Sequence, residues 1–434
     1  MSNSKLRVLI LAEAANPEWT SVPLVGWSHA LALSKIHNTH LVTQVRNEHA
    51  ITRFGWTLGE EFTAINTESV LKPVTKLSQF IRGGTNLAWT IGTAFQSLAY
   101  PYFEYKTWKL FKRRLAAGEF DVVHRITPVS PTAPSYLAKK LKRLGIPFVV
   151  GPLNGGVAWP KQFPDLQKRE REWLNYFKQA YKLLPGYRSL RRHATVIIAG
   201  SMATKEQLPH WAKDRTLYLP ENAIDKARFS KTSSSSYNLP IKAAFVGRLV
   251  PYKGADIAIE ALAPMAKAGH ITFDIYGKGP EEDHLISLIE KLGLEKCVTL
   301  HGFINNTDLH LKLADTDIFV FPSLREFGGG VVLEAMTLGV VPIIVDYAGP
   351  AELVTENCGY LVPLDERDKL VQNLSQTLSS ICEDPSTLIE KRENCIRRVE
   401  KFYTWERKVE QITAIYHWVT RNDKKPDFKA PFPP

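Results

Sequence analysis

The chain has 434 residues, of which 44% are hydrophobic and 23% are charged. The length exceeds that of one ordinary domain, and the composition excludes a disordered, collagenous or disulfide-stapled protein. The net charge of +11 is unevenly spread: residues 1–200 carry 27 basic and 12 acidic side chains, whereas residues 201–434 carry 28 and 32. A basic first half favours an anionic partner such as a membrane surface, an acidic substrate or nucleic acid.

Cysteine usage and the chain's apolar stretches predict a cytoplasmic location. The four cysteines lack metal-binding spacing and are predicted to be reduced thiols. The apolar run before Glu13 is too short for the core of a signal peptide. The uncharged stretch 83–103 has only 11 apolar residues among 21, so it is not predicted to cross a membrane.

Short apolar runs alternate with longer amphipathic stretches along the whole chain, as in parallel sheets flanked by helices. In the first half the predicted strands are 6–12, 40–45, 121–126, 147–150 and 195–199. In the second half they are 242–249, 272–276, 298–302, 318–322 and 342–346. The predicted fold class is therefore α/β, with two doubly wound, Rossmann-like domains.

The boundaries of these domains follow from composition and periodicity. The Ser-rich stretch 231–240 predicts a linker, which places the domain junction between residues 220 and 240. Residues 405–419 have apolar positions at helical spacing, and the four prolines after them predict a loosely ordered end. The predicted parts are an N-terminal domain 1–220, a second domain 221–403, a C-terminal helix 404–420 and a tail 421–434.

The densest chemical signal lies between Ser323 and Glu352. Gly328–Gly330 follow a predicted strand and precede a helix-forming run, an arrangement that brings backbone amides close to an anion such as phosphate. Glu326 and Glu334 bracket this turn, and a carboxylate can accept two hydroxyl hydrogen bonds, which suits a sugar or ribose diol.

A diphosphate also needs fixed positive charge, which GRLVPYKG supplies through Arg248 and Lys253. Both cations follow a predicted strand, and the carboxyl ends of strands in such sheets face the ligand crevice. We therefore expect them at the same edge of the sheet as the Gly328–Gly330 turn.

These motifs resemble the donor half of family 4 glycosyltransferases, which are retaining enzymes of the GT-B fold with two domains facing a central cleft. The resemblance rests on FVFPS, on the two glutamates around FGGGVVL, on EAMTLGVVPIIVDYAGPAEL and on GRLVPYKG. It implies a hexosyltransferase that uses an NDP-sugar as donor, with no cofactor and no metal. It assigns the diphosphate to the catalytic cations Arg248 and Lys253, the hexose hydroxyls to catalytic Glu326, the ribose to Glu334, and the sugar and phosphate to the amides of Gly329, Gly330 and Val331.

The first half matches the same family more loosely. PEWTSVPLVGWSHALAL is similar to the glycine-bearing loop that approaches the donor phosphates, with Gly26 as the matching residue. FDVVHRITP is similar to a strand end that carries a histidine near the donor sugar; His124 is the candidate, although many relatives have that histidine where this chain has Ile126. A third loop, at the end of a strand, places Asn154, Gly155 and Gly156 on the acceptor side, unless it is only a structural turn.

Two stretches, 79–118 and 159–192, mix aromatic and basic side chains. Such mixtures predict reversible attachment to an anionic membrane, here the inner face of the cytoplasmic membrane. The predicted acceptor is a saccharide, a lipid or a lipid-linked sugar, as in cell-surface polysaccharide or glycolipid biosynthesis. Nucleic acid is not predicted as a partner, because no nucleic-acid-binding module is recognisable.

Alternatives remain open from the sequence. The chain could be another GT-B enzyme, similar to glycogen phosphorylase or sucrose synthase, or a non-catalytic donor-binding or membrane-associated scaffold. Asp315-Thr316-Asp317 has the form of a metal-binding DxD motif. Because it stands just before a predicted strand, we expect it to end a helix instead.

Overall fold

The computed structural model describes residues 5–67, 88–169, 185–229 and 238–433. These residues form two compact units. The first contains 5–67, 88–156, 185–221 and 409–428, and the second contains 157–169, 222–229, 238–408 and 429–433. Residues 157–169 thus lie in the second unit, although the sequence analysis assigned them to the first. Most of the predicted linker 231–240 lies outside the described residues.

The first unit is built on a seven-stranded parallel sheet in the order β3-β2-β1-β4-β5-β6-β7. Its strands are β1 Arg7–Ala12, β2 Asn38–Gln44, β3 Phe62–Ile65, β4 Val122–Thr127, β5 Phe148–Leu153, β6 Val196–Ala199 and β7 Thr216–Tyr218. Every residue of β4 and β5 is buried, as expected where helices cover both faces of a parallel sheet.

The helices of the first unit separate most of these strands. They are Val22–Ser34, Glu48–Phe54, Ala88–Ala116, Leu137–Arg143, Pro185–His193 and Met202–Gln207, with most of Trp405–Arg421 added from the end of the chain. The strand order reverses between β1 and β4, which is the pattern of a doubly wound sheet.

The second unit is built on a six-stranded parallel sheet in the order β10-β9-β8-β11-β12-β13. Its strands are β8 Ile241–Val246, β9 Ile271–Tyr276, β10 Val298–Gly302, β11 Ile318–Phe321, β12 Val341–Val345 and β13 Tyr360–Val362. Its helices are Pro164–Arg169, Ala255–Lys267, Glu282–Leu292, Asn306–Leu313, Gly330–Thr337, Ala348–Leu353, Arg367–Glu383 and Thr387–Phe402. The predicted pair of Rossmann-like domains is confirmed.

Two residues near the end of the chain, Phe432 and Pro433, are anchored on the second unit. Phe432 is 5% exposed and stacks on Phe402, with ring centroids 4.5 Å apart. The Arg398 guanidinium donates to the carbonyl oxygens of Phe432 and Pro433 at 2.9 and 2.6 Å. One buried aromatic ring and a buried arginine thus fix Phe432 and Pro433 on the second unit, whereas most residues from 421 to 431 are exposed.

Candidate active site

The predicted donor residues of the second unit lie where its strand order reverses. Strands β8 and β11 are neighbours there, and their carboxyl ends lead into the loops that carry Arg248, Lys253 and Glu326. Leu324 donates its backbone amide to the carbonyl of Tyr252 at 2.8 Å, which joins the two loops. The switch point of a doubly wound sheet is the usual place for a ligand crevice.

Lys253 and Glu326 form an ion pair at this edge. The Lys253 ammonium donates to Glu326 Oε2, and the backbone amide of Phe327 donates to Oε1 at 3.1 Å. The two side chains are 15% and 18% exposed. Both carboxylate oxygens are thus fixed by donors in a partly desolvated position, where an ion pair is worth more than on the open surface.

Arg248 is a second cation at the carboxyl edge of this sheet. It follows β8 by two residues and its side chain is exposed. Within the described ranges the structure gives its guanidinium no hydrogen bond or ion pair. An arginine in this state can bind a phosphate without first breaking a contact of its own.

The glycine turn opens the helix Gly330–Thr337. Gly329 has a φ of +58°, in the left-handed region that favours glycine, and a Cβ there would lie 2.9 Å from Leu353 Cδ1. The amides of Gly330 and Val331 begin the helix and so have no carbonyl partner inside it. Two of the three amides that the resemblance assigned to the sugar and phosphate, those of Gly330 and Val331, are therefore available to an anion.

A residue that the sequence analysis missed fixes this turn. The side-chain amide of Asn222 donates to the carbonyl oxygen of Gly328 at 3.1 Å, although 106 positions separate the two residues. A Cβ on Gly330 would lie 3.3 Å from the Asn222 side chain, so the two pack closely. Nothing in the local sequence around Asn222 indicates this contact.

Glu334 lies in the second turn of the same helix, with its side chain 25% exposed. The Nε2 atom of His310 lies 3.8 Å from Glu334 Oε2. His310 is buried, and its ring centroid is 4.3 Å from that of Phe229. With a quarter of its side chain exposed, Glu334 is accessible to a ligand hydroxyl.

Two further features of this sheet have structural roles. Gly277 follows β9 with a φ of +151°, and a Cβ there would overlap the carbonyl oxygen of Gly247. At the opposite edge of the sheet, the Asp317 carboxylate accepts the backbone amide of Lys242 at 2.8 Å and so joins the start of β11 to the start of β8. In the described part of the chain, no cluster of three or more His, Cys, Asp or Glu side chains could hold a metal ion.

Residues 157–159 form one wall of the second unit beside this site. Arg325 donates to the carbonyl of Val157 at 3.2 Å, and its guanidinium lies 4.9 Å from the ring centroid of Trp159. Tyr347 donates to the carbonyl of Ala158 at 2.9 Å, and burial raises the pKa of its phenol. No sequence motif indicates this wall, because residues 157–159 were predicted to belong to the other domain.

In the first unit, Gly26 lies inside the helix Val22–Ser34 and is buried. A Cβ at this position would overlap the carbonyl oxygen of Ala14 and approach Thr127 Cγ2 to 3.1 Å. Glycine is thus needed where this helix crosses the ends of β1 and β4. Contact with donor phosphates stays a prediction.

His124 is fully buried in β4, and both of its ring nitrogens have partners in the first unit. Nε2 lies 2.8 Å from the carbonyl oxygen of Gly151, and Nδ1 lies 2.7 Å from the hydroxyl of Tyr416. A carbonyl can only accept, so Nε2 carries the proton and Tyr416 donates to Nδ1. Burial lowers the pKa of His124 to about 4, which keeps the ring neutral. These contacts give His124 a structural role, and its contact with a donor sugar stays a prediction.

The Asn154–Gly156 loop follows β5 and is held by the helix Met202–Gln207. Thr204 Oγ1 accepts from the amide of Gly155 at 3.1 Å and donates to its carbonyl at 2.8 Å. The Gln207 side-chain amide donates to the carbonyl of Gly156. The loop therefore has a fixed backbone at the carboxyl edge of the first sheet.

Residues 227–402 match the family model of glycosyl transferases group 1. The chain is 28% identical over 247 residues to the putative colanic acid biosynthesis glycosyltransferase WcaL of Escherichia coli K12, covering 55% of this chain and 57% of WcaL. It is 28% identical over 212 residues to a glycogen synthase of Mycobacterium tuberculosis, covering 48% and 50%. The chain thus spans little more than half of these relatives. The match of residues 227–402 to this family model confirms the predicted resemblance at the level of glycosyl transferases group 1.

Solved structures resemble the chain over nearly its whole length. The structure of Anabaena Alr3699/HepE in complex with UDP and glucose aligns with a TM-score of 0.59 at 19% identity, covering 94% of this chain and 98% of the other. The lipopolysaccharide outer core galactosyltransferase WaaB aligns with a TM-score of 0.60 at 16% identity, with the same coverage. These matches show that the fold is GT-B.

Proposed function

We propose that this protein is a retaining glycosyltransferase that moves a hexosyl unit from an NDP-sugar to a saccharide, lipid or lipid-linked acceptor. The observation that carries the proposal is the pairing of Lys253 with Glu326 beside the amides of the Gly328–Gly330 turn. One carboxylate, two cations and free amides at a switch point match a glycosyl diphosphate, which has hydroxyls at one end and anionic oxygens at the other.

In the proposed reaction, the bond between the anomeric carbon and the diphosphate oxygen breaks and a bond to the acceptor oxygen forms on the same face. The acceptor hydroxyl proton passes to the departing phosphate oxygen. Negative charge grows on the diphosphate. It is stabilised there by Arg248, Lys253 and the amides of Gly330 and Val331, which are already in position before the reaction. Glu326 orients the hexose through its hydroxyls, and Glu334 binds the ribose. No metal takes part in this scheme.

Similar proteins support a role in polysaccharide biosynthesis and a nucleotide-sugar donor. WcaL and the Erwinia amylovora glycosyltransferase AmsK, which is 28% identical over 206 residues, are named for colanic acid and amylovoran biosynthesis. HepE was solved with UDP-glucose, which supports a nucleotide-sugar donor. We propose that this chain acts likewise in building a cell-surface polysaccharide or glycolipid, in the cytoplasm at the inner face of the membrane.

A donor panel tests the proposal. A ligand at about 100 times its Kd stabilises the folded state by about 2.7 kcal/mol. For a domain of this size, that raises the melting temperature by roughly 5–10 °C. We expect one of UDP-, GDP-, ADP- or dTDP-glucose to give such a shift in thermal denaturation, equally with magnesium or EDTA. A shift that needs magnesium would contradict the metal-free scheme. Nucleotide binding without transfer or hydrolysis would favour the scaffold alternative.

The helix Ala88–Ala116 supports the proposed membrane contact. Its buried side chains from Tyr100 onward lie on one stripe, whereas Tyr105 and Leu110 are 54% and 56% exposed among the exposed cations Lys109, Lys112 and Arg113. Exposed aromatic and apolar side chains among cations suit an anionic lipid surface. No helix in the described ranges is long and apolar enough to cross a bilayer. The cluster around Trp173 in the second basic stretch lies outside the described residues.

Co-sedimentation with liposomes tests this contact. We expect binding to vesicles containing 30% phosphatidylserine at low salt and none to neutral phosphatidylcholine vesicles. Replacing Lys109, Lys112 and Arg113 together by Gln should lower the partition constant about 100-fold, at about 1 kcal/mol for each charge. The matched control replaces three exposed cations of the second unit, Lys267, Lys291 and Lys401, and should bind normally. Equal loss in both triple variants would show a response to net charge alone.

A further inference from the structure

The side chain of Asn154 is buried without a hydrogen-bond partner. The residue is 6% exposed and stands directly after β5, at the carboxyl edge of the first sheet. Among the described residues, neither its Oδ1 nor its Nδ2 atom has a hydrogen-bond partner. Burying an unpaired amide destabilises a protein, so this amide calls for a partner that the described residues do not supply.

The surroundings of Asn154 hold its amide in place. The Asn154 backbone amide donates to the carbonyl of Val129 at 2.7 Å, and that of Gly200 donates to the carbonyl of Leu153 at 2.6 Å. A Cβ on Gly200 would lie 3.2 Å from Asn154 Cβ and 3.3 Å from Glu221 Cβ, so the three residues pack side by side after β5, β6 and β7. Gly155 and Gly156 are fixed by Thr204 and Gln207, whereas the side-chain amide of Asn154 has no such partner among the described residues.

The chemistry of an amide restricts the ligand. Asn154 presents one acceptor oxygen and one donor nitrogen, and both are unpaired. A phosphate or carboxylate could satisfy Nδ2 but would leave Oδ1 facing another acceptor. A sugar hydroxyl, or an N-acetyl amide, both donates and accepts and so satisfies both atoms.

We propose that Asn154 recognises a hydroxyl or N-acetyl group of the acceptor sugar, in a saccharide acceptor site of the first unit. This inference rests on the proposed function, because it assumes transfer to an acceptor. It narrows the acceptor to one whose sugar portion, rather than its phosphate or lipid, enters this part of the protein.

The test uses the variant Asn154→Leu, similar in size but unable to form hydrogen bonds, and the isosteric variant Asn154→Asp. Acceptor probes are the p-nitrophenyl glycosides of glucose, galactose, mannose and N-acetylglucosamine. For the best probe, we expect both variants to lower kcat/KM about 10- to 100-fold, while hydrolysis of the donor by water stays within twofold of wild type. Since the free amide is unpaired, Asn154→Leu should leave the melting temperature unchanged or raise it by about 2 °C.

A matched control is Asn47, a buried asparagine in the same unit whose Nδ2 atom donates to Glu13 O at 3.0 Å and Thr43 Oγ1 at 2.8 Å. Asn47→Leu should lower the melting temperature. A similar drop in Asn154→Leu would overturn the inference, as would unchanged transfer, an equal loss of donor hydrolysis, or no transfer by wild type to any glycoside. Failure of the proposed function looks different, because wild type would then neither bind nor hydrolyse any nucleotide sugar.

Discussion

Replacing Glu326 by Gln is expected to lower kcat about 100- to 1000-fold, equivalent to about 3–4 kcal/mol of transition-state stabilisation. The amide can still accept from Phe327, but it cannot pair with Lys253 or accept hexose hydroxyls as a charged group. Turnover of the NDP-sugar identified by the donor panel, followed as nucleotide release, provides the measurement. Glu290→Gln, which neutralises an exposed carboxylate in the same unit, is the control and should leave kcat unchanged.

The contribution of the ion pair can be separated from direct contact with the sugar. Lys253→Met should raise KM for the donor about 10- to 100-fold, because it removes a cation from the diphosphate and leaves Glu326 without a counter-charge. If Glu326 acts only by holding Lys253, the double variant Glu326→Gln/Lys253→Met will have the same kcat as Lys253→Met alone. We expect the double variant to be clearly worse in kcat. Near-normal kinetics in both single variants would defeat the assignment.

The sequence predicts the buried parts of both sheets well, because long apolar runs leave few alternatives. β1 and β9 begin and end within one residue of the predicted bounds. The strands it misses are β3, β7 and β13, which have three or four residues and lie at the edges of their sheets. A segment such as TLY or YLV is too short to show a period, and its pairing depends on the neighbouring strand.

In the candidate site, too, residues next to recognisable strands could be predicted, whereas residues placed by tertiary contacts could not. Arg248, Lys253 and Glu326 could be brought together from the sequence, because each follows a recognisable strand and adjacent parallel strands end at one edge. Asn222 and the segment 157–159 could not, because their contacts depend on where the chain leaves one unit and joins the other. Phe432 was missed for a related reason: one apolar residue among prolines reveals nothing about the pocket it fills.

Acid is expected to destabilise the first unit through His124. The pKa of this ring is lowered from 6.5 to about 4 by burial, so the unfolded chain binds the extra proton more readily between these values. The stabilisation is complete above pH 6.5 and is lost as the pH falls toward 4. A shift of this size corresponds to about 3 kcal/mol in all, of which about 2 kcal/mol is lost by pH 5.

The C-terminal helix Trp405–Arg421 should respond first, because it supplies the Tyr416 hydroxyl that donates to His124. His37 adds to the effect: it contacts Thr413 of this helix at 2.8 Å, and burial together with His417, Arg421 and Lys5 lowers its pKa to about 4. Urea unfolding of wild type and His124→Gln from pH 7.5 to 4.5 measures the effect. The variant is less stable at pH 7.5, but its free energy of unfolding should fall less steeply below pH 6.5, since glutamine does not titrate. Parallel curves for the two proteins would show that His124 is protonated as easily in the folded as in the unfolded chain, and that the buried contact with Tyr416 does not resist acid.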